Sequence, residues 1–543
     1  MALAGSRSIA DSYVFRIHHA LHLAITQRCH DHQRRHDALQ IRTFFVEIPS
    51  ILSLITFVPA AGAVVVALLP RKGRLIQWWS LLVALATFLL TLHLPAHYIY
   101  GQSGFQFEQN VPWIANPAIR YHLGVDGISM WLVVLTGFLS VIGVLASWKT
   151  IEHRAKEFYF FFLLQQTAML GVFVALDLIL YYGFWELSLI PMAILIAMFG
   201  KDRGPKTAIK FFTYTFIPSA LFLVAILYLY AKTGTFDYVE LQHALSGGGL
   251  FTANALCWVS LAFLAAFSVK VPVFPLHGWL ADTICDAPTA MAMVVAGKLG
   301  LYSILRYNLG LFPEQAREIA PLMIALAVIG LLYGACIALV QKDMKRLVAY
   351  SIMSHLSFCT LGIFCFAVAG LNGAVYQILN HGISGSAILI LIGILYDRFG
   401  TYEMPEYGGL AAKTPWLVTL FVITTLSLVG LPILNGFVGE FLILSGSFAN
   451  HMGWVAAATV GVILGAAYML MMVQKIFYGP ESSLIKTGPA ADLTSREHLL
   501  LWPMAILMLV MGVASPYWIR AIDGSVSGLA DHAAQTLTYL EKR

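Results

Sequence analysis

From residue 51 onward the chain alternates long apolar runs with short polar connections. Crossing a hydrocarbon core of about 30 Å takes roughly 20 apolar residues in a helix, because the backbone polar groups must be satisfied within the segment. Fourteen runs meet that length: 51–70, 75–97, 126–147, 158–176, 178–200, 207–231, 253–275, 288–305, 319–341, 347–369, 372–397, 415–447, 453–477 and 498–518. Two of them are punctuated. In the seventh, Val269-Lys270-Val271-Pro272-Val273-Phe274-Pro275 sets two prolines beside a charge. In the twelfth, Gly430-Leu431-Pro432 is followed by Asn435-Gly436. The breaks lie five spans apart, and interrupted helices at corresponding places point to an internally repeated transporter whose freed backbone groups line a cavity at mid-depth. The spacing predicts two five-helix units, spans 4–8 and 9–13.

The basic residues of the connections are unevenly shared. Odd-numbered loops hold Arg71, Lys72, Arg74, Lys149, Arg154, Lys156, Lys201, Arg203, Lys206, Lys342, Lys345, Arg346, Arg398, Lys413, Lys486 and Arg496, whereas even-numbered loops hold only Arg120, Lys232, Arg306 and Arg317. That asymmetry predicts cytoplasmic odd loops and both termini on the opposite side. Residues 1–49 break the pattern, carrying Arg7, Arg16, Arg28, Arg34, Arg35 and Arg42 on the side the rule makes translocated. They read as a basic extension outside the mature fold, from an upstream start codon or, alternatively, a processed leader. His18, His19, His22, His30, His32 and His36 show no fixed ligand spacing, so no metal site is expected there.

Composition narrows the class further. Of 543 residues, 59% are apolar and 11% are Asp, Glu, Lys or Arg, about half the charged share of a soluble domain. A net charge of +5 is too weak, and too well explained by topology, to indicate a nucleic-acid partner. The six cysteines fall in no CxxC pair or iron-sulfur run. No phosphate-cradling GxxxxGK[ST] or strand-to-helix GxGxxG occurs, so neither cofactor nor metal binding is expected in this chain.

Charges inside the spans carry the chemistry. A charged side chain at the bilayer centre costs on the order of 2.5–3.5 kcal/mol even on lenient insertion scales. Glu186 (in Tyr181-Tyr182-Gly183-Phe184-Trp185-Glu186), Lys270, Lys298 and Glu440 (in Phe437-Val438-Gly439-Glu440-Phe441) bear that cost, accompanied by His277, His355 and His381. Such groups can be structural ion pairs holding helices in register, Glu186 with Lys270 for instance. Their number, and their company of two broken helices, favour a proton relay, whose members change protonation without leaving their places. A free lysine titrates near 10.4, so one that exchanges protons near pH 7 needs roughly 4 kcal/mol of differential interaction. Lifting one charge against about 170 mV costs about the same. Asp177 could gate this path or simply cap the fifth helix.

Taken together, Tyr121-His122-Leu123-Gly124-Val125-Asp126-Gly127-Ile128-Ser129, Trp185-Glu186, Val269-Lys270-Val271-Pro272, Pro275-Leu276-His277-Gly278-Trp279-Leu280, Ala287-Pro288-Thr289, Asp343-Met344-Lys345-Arg346-Leu347-Val348-Ala349-Tyr350-Ser351, Asn380-His381-Gly382 and Phe437-Val438-Gly439-Glu440-Phe441 resemble the antiporter-like chains of proton-pumping NADH:quinone oxidoreductase, respiratory complex I. The GVDGIS and FVGEF runs resemble the chain M type rather than chains L and N. The resemblance covers about 51–520. It implies an all-α membrane protein of about fourteen helices with two inverted five-helix repeats and helices 7 and 12 broken at Pro272, Pro275 and Pro432. It also implies proton translocation driven by electron transfer from NADH to quinone, with NADH, FMN, iron-sulfur clusters and quinone bound by partner subunits. The family's proton-path residues map onto Glu186, Lys270, Lys298 and Glu440, supported by His277, His355 and His381. The implied partners are the other membrane-arm subunits, chains L and N and small membrane chains, and the implied location is the cytoplasmic (inner) membrane.

Between Pro288 and Lys298 the chain is about three residues shorter than the family pattern, a displacement of nearly one helical turn, about 5 Å. The expected division is 1–49 as extension, 50–157 as helices 1–3, 158–309 as the first repeat, 310–477 as the second, and 478–543 as an amphipathic loop, helix 14 and a tail. Two rival readings remain: a subunit of a multisubunit cation/proton antiporter or membrane-bound hydrogenase, and a non-transporting membrane scaffold whose charge pairs lock helices.

Overall fold

The structure, a computed structural model, describes residues 48–541 apart from Lys72, Asp202, Gly248, Ala296, Gly297 and 488–490. The arginine- and histidine-rich stretch up to residue 47 lies outside the described residues. The first helices, Ile51–Leu68 (α1) and Gly73–His97 (α2), precede an antiparallel hairpin of Gln106–Ile114 (β1) and Ile119–Val125 (β2). Next come Ser129–Thr150 (α3), Ala155–Val174 (α4), Leu178–Leu187 (α5), Leu189–Phe199 (α6), Gly204–Thr233 (α7), Tyr238–Ser246 (α8) and Ala253–Lys270 (α9). Leu280–Asp286 (α10), Thr289–Val295 (α11) and Lys298–Ser303 (α12) are short, and a π-helical segment, Ile304–Leu309, follows. The second half comprises Pro313–Val340 (α13), Met344–Phe364 (α14), Val368–Phe399 (α15), Pro415–Leu428 (α16), Asn435–Phe477 (α17), Ser483–Thr487 (α18), Ser495–Val513 (α19) and Pro516–Glu541 (α20).

Among the described residues, twelve helices are long and apolar enough to cross a membrane. The described residues of the expected eighth span are helical on either side of Ala296 and Gly297 (α11 and α12) and end in the π-helical segment. The expected twelfth begins as α16, and its second part joins the thirteenth in α17, which bends where His451 leaves helical backbone geometry. Both anticipated breaks are present: the chain is non-helical between α9 and α10, around Pro272 and Pro275, and between α16 and α17, around Pro432. Arg306, counted above with the loop residues, is instead buried in the π-helical segment.

Capping explains several helix starts. Asp177 accepts hydrogen bonds from the Ile179 and Leu180 N–H groups at 2.9 and 3.1 Å, which settles its role as the cap of α5. Asp237 does the same for α8 and Asp343 for α14. Gly234 and Gly400 end α7 and α15 in the left-handed region, φ 75° in both cases, where glycine carries no Cβ penalty.

One hydrogen-bonding pattern occurs twice. Leu178 N–H donates to Phe236 O and Tyr238 N–H to Leu176 O. Met344 N–H donates likewise to Tyr402 O, and Met404 N–H to Lys342 O. Each bracket ties the start of one helix (α5, α14) to the strand-like exit of the next long one (α7, α15). The two brackets are offset by the same 166 residues, Asp177 to Asp343 and Gly234 to Gly400.

The core runs through α14 and α15. The most apolar window of α15 is 100% buried and that of α14 94%, against 33% for α7. A helix enclosed on every side lies at the centre of its bundle. The terminal helix α20 occupies residues expected as a tail. It lies against the start of α3, where Gly127 donates its N–H to Ser525 Oγ at 2.8 Å, and a Cβ on Gly127 would fall 1.8 Å from the Ala521 carbonyl oxygen. Only glycine permits that approach.

Candidate functional site

Glu186 and Lys270 are brought to neighbouring helices in the first half of the bundle. Glu186 is the penultimate residue of α5, just before the turn at Ser188 that separates α5 from α6, and its Oε1 accepts a short hydrogen bond from Ser219 Oγ of α7. Lys270 is the last residue of α9, at a helix C-terminus whose partial negative charge favours a cation. Its Nζ donates to Ser188 Oγ at 3.4 Å and lies 5.3 Å from the Trp185 ring centroid and 5.7 Å from that of Phe211. Among the described residues no ion pair joins Glu186 to Lys270. The two serines hold the charges on separate partners, so the direct pair imagined from sequence is not the arrangement present. The break after Lys270 is internally satisfied, since Trp279 Nε1 donates to the freed Val269 carbonyl at 2.9 Å.

Lys298, at the end of the first half, approaches His381 of the second half, which leads on to His355 and Glu440. Lys298, in α12, is 3% exposed and lies along α15 where Gly382 leaves room. A Cβ there would meet Lys298 Cε at 3.0 Å and Nζ at 3.4 Å. The neighbouring His381 places its ring 5.7 Å from that of His355 on α14, and His355 Nδ1 lies 3.5 Å from Glu440 Oε1. Glu440 is 6% exposed and also accepts from Gln377 Nε2 at 3.3 Å. A cavity of about 10 Å³, the room of about one water, lies against His355, Glu440, Ser354 and Tyr468.

A polar net that sequence reasoning passed over surrounds this line. Asn380 Nδ2 donates to Gln377 Oε1 at 3.0 Å and to the Asn435 carbonyl at 2.7 Å, and Ser427 Oγ donates to Asn435 Oδ1 at 2.6 Å. Ser384 and Ser427 share a 2.6 Å hydroxyl contact. The signal was available: Gln377, Asn380, His381 and Ser384 fall at i, i+3, i+4 and i+7, one face of a helix with no other reason to be polar. His277, by contrast, is not brought to this line. It sits in the break after α9, stacked on Phe274 at 5.7 Å and edge-on to Tyr333 at 5.1 Å.

A second group of ionisable residues lies outside the spans, where the hairpin meets the starts of α5 and α8. His122 of β2 shares a short hydrogen bond with Asp237, and Glu108 of β1 stands 3.6 Å from His122 Nε2. Asp177 accepts from the Arg120 N–H at 3.0 Å on the other side of Asp237. Burial opposes charge on His122, but the Asp237 hydrogen bond and the charges of Asp237 and Glu108 outweigh it and raise the imidazole above its ordinary range. Burial likewise opposes charge on Asp237, but the His122 bond and backbone N–H groups hold its carboxyl below the usual range. Burial raises Asp177.

The stabilisation from His122 is therefore full below about pH 6.5 and lost as pH rises through its raised value. That from Asp237 is full above about pH 3.9 and lost as pH falls through its lowered value. Amide hydrogen exchange in the hairpin, corrected for intrinsic rates, is expected to accelerate several-fold across the raised histidine range, and His122→Gln to flatten that alkaline limb. An unchanged pH dependence in His122→Gln would remove the histidine from the clamp.

Residues 175–465 match the family model described as NADH:quinone oxidoreductase/Mrp antiporter, TM, and residues 54–176 match NADH-ubiquinone oxidoreductase chain 4, amino terminus. NADH-quinone oxidoreductase subunit M of Rhodobacter capsulatus is 39% identical over 502 residues, covering 89% of this chain and 97% of the relative. NADH-ubiquinone oxidoreductase chain 4 of Arabidopsis thaliana is 36% identical over 488 residues, with 89% and 97% covered. Among solved structures, a chain of respiratory complex I from Thermus thermophilus with bound NADH superposes with a TM-score of 0.80 at 30% identity, covering 89% of this chain and 99% of that one. A chain of the Mrp complex from Dietzia sp. gives the same TM-score at 20% identity, over 91% and 100%, which shows a shared fold. The chain belongs to the NADH-quinone oxidoreductase subunit M family, the antiporter-like, proton-translocating membrane subunits of respiratory complex I.

Proposed function

We propose that protons cross the membrane arm in this chain by way of Lys298, His381, His355 and Glu440, with Glu186 and Lys270 setting the bias and His277 supporting from the seventh-helix break. The observation that carries this reading is the placement of Lys298, enclosed in the bundle, on the same stretch of α15 as His381, from which a ring contact and a 3.5 Å approach lead to Glu440. An ionisable side chain buried at membrane depth is costly, and a row of them within reach of one another supports transfer along the row. The polar net of Gln377, Asn380, Asn435 and Ser427 supplies hydrogen bonds that let the row hold a proton without water-filled space.

The paired brackets at Asp177 and Asp343 support two five-helix repeats of opposite orientation, because five spans separate them and an odd number of crossings reverses direction. The lysine- and arginine-rich connections are cytoplasmic in this reading, and both termini lie across the membrane. NADH, FMN, iron-sulfur clusters and quinone are held by partner subunits. Chains L and N and the small membrane chains are this chain's neighbours in the cytoplasmic membrane.

Purification of the native assembly tests the assignment. Redox subunits are expected to co-purify, and the reconstituted assembly to acidify one side of the vesicle on addition of NADH and quinone. Co-purification with antiporter accessory chains alone would favour the cation/proton antiporter instead.

A further inference from the structure

Span 8 has two very different ends. At its start, Thr289 lines a crevice of about 400 Å³ together with Lys149, Lys201 and Lys345, the lysine-rich side of the bundle. Toward its other end, eight residues past Lys298 and about 12 Å away at the α-helical rise, stands Arg306. Its guanidinium, 6% exposed, meets Asp126 Oδ1 at 2.6 Å. The same carboxylate oxygen accepts the N–H groups of Ile128 and Ser129 at 3.1 and 3.0 Å. Aromatic rings box the cation, with centroids at 4.9 Å (Phe105), 5.5 Å (Tyr302) and 5.8 Å (Tyr238). Arg306 Nε donates to Tyr302 OH at 3.3 Å.

The hydroxyls between Lys298 and Arg306 are committed. Tyr302 OH donates to the Phe173 carbonyl at 3.2 Å, and Ser303 Oγ donates to that of Leu299 at 2.6 Å while sharing a short hydroxyl contact with Tyr181 OH. A little beyond, Tyr307 OH donates to the Ala175 carbonyl at 3.4 Å. Groups that donate to fixed backbone acceptors do not pass a proton onward without breaking those bonds. The next group, a guanidinium, cannot be deprotonated in a protein and repels a migrating positive charge. The arginine lies within the π-helical segment, a local geometry frequent at functional positions.

We propose that the Arg306–Asp126 pair is a proton barrier: it closes the direct route from Lys298 through the end of span 8 to the hairpin side, so that the lateral route along α15 is the one available. This inference rests on the reading of Lys298 as a proton carrier. A buried ion pair alone has an ordinary structural explanation, so the test must move something that stability does not. Removing only Asp126 would strand a buried cation. Two milder variants serve instead: the neutral, hydrogen-bonding Asp126→Asn/Arg306→Gln pair, and Arg306→Lys, which keeps the ion pair but carries a proton that can be given up.

In sealed membrane vesicles holding the assembled complex, both variants are expected to retain NADH oxidation and to dissipate an imposed pH gradient several-fold faster than wild type with catalysis inhibited. Adding Lys298→Met to either is expected to restore the tight baseline, because the leak passes through that lysine. Wild-type tightness in an assembled variant, or a leak that persists without Lys298, overturns the barrier. Undiminished pumping by Lys298→Met alone would instead overturn the carrier reading beneath it.

Discussion

Lys298→Met is expected to abolish NADH-driven proton translocation while the complex still assembles. Methionine keeps the unbranched stem that lies along Gly382, so packing is conserved to within the volume of the ammonium group. Removing a charge that costs about 2.5–3.5 kcal/mol to hold at membrane depth relieves the fold rather than burdening it. Lost function therefore cannot be ascribed to lost stability. Lys298→Arg sharpens the test, because arginine preserves the charge but cannot release a proton. A lysine that merely locks helices would be replaced adequately by arginine, whereas a carrier would not. Both variants are expected to lower the initial rate of gradient formation by about tenfold or more, equivalent to at least 1.4 kcal/mol on the barrier. The measurement is quenching of a pH-sensitive dye in proteoliposomes, normalised to NADH oxidised. A wild-type ratio of protons to electrons in either variant would take Lys298 out of the path.

The three-residue shortening before Lys298 bears on this expectation. In the structure the lysine reaches α15 at Gly382 beside His381.

What the sequence made legible follows from its physics. Hydrophobic run length and proline punctuation are local, so the spans and the breaks at Pro272 and Pro432 could be read directly. Charges in apolar surroundings announce themselves by their cost, which exposed Glu186, Lys270, Lys298 and Glu440. Partners are not local. Ser219 lies 33 residues from Glu186 and Ser188 lies 82 from Lys270, and serines in spans are too common to mark themselves. The Asp126–Arg306 pair was hidden for a different reason: Arg306 sits near a span end, where a basic residue is assigned to the loop. The hairpin lies in a polar connection whose alternation is short, and α20 is amphipathic rather than apolar, so the length criterion for spans passes over both. The Gly127 and Asp126 of the GVDGIS run acquire physical reasons only once α20 and span 8 are in place.

The Glu186 and Lys270 pair offers the sharpest separation of relay from scaffold. Ser219 holds the carboxylate and Ser188, two residues beyond it, holds the ammonium, so exchanging these partners for each other requires side-chain rearrangement within one helical turn. Two unit charges brought to about 4 Å at an effective dielectric of 20 interact by about 4 kcal/mol, which matches the roughly 4 kcal/mol needed to lift one charge against about 170 mV. If Glu186 and Lys270 toggle, making and breaking that contact has adequate strength for the load. Glu186→Gln and Lys270→Met are each expected to cut coupled proton translocation about tenfold or more, since either removes one pole of the switch. The double variant decides the matter. If the pair only locks helices, a buried charge left alone is the damage, and neutralising both members restores translocation. If the pair toggles proton affinity, the double variant is no better than the worse single one. Proton-to-electron ratios of the three variants, measured on complexes of equal subunit content, distinguish these outcomes.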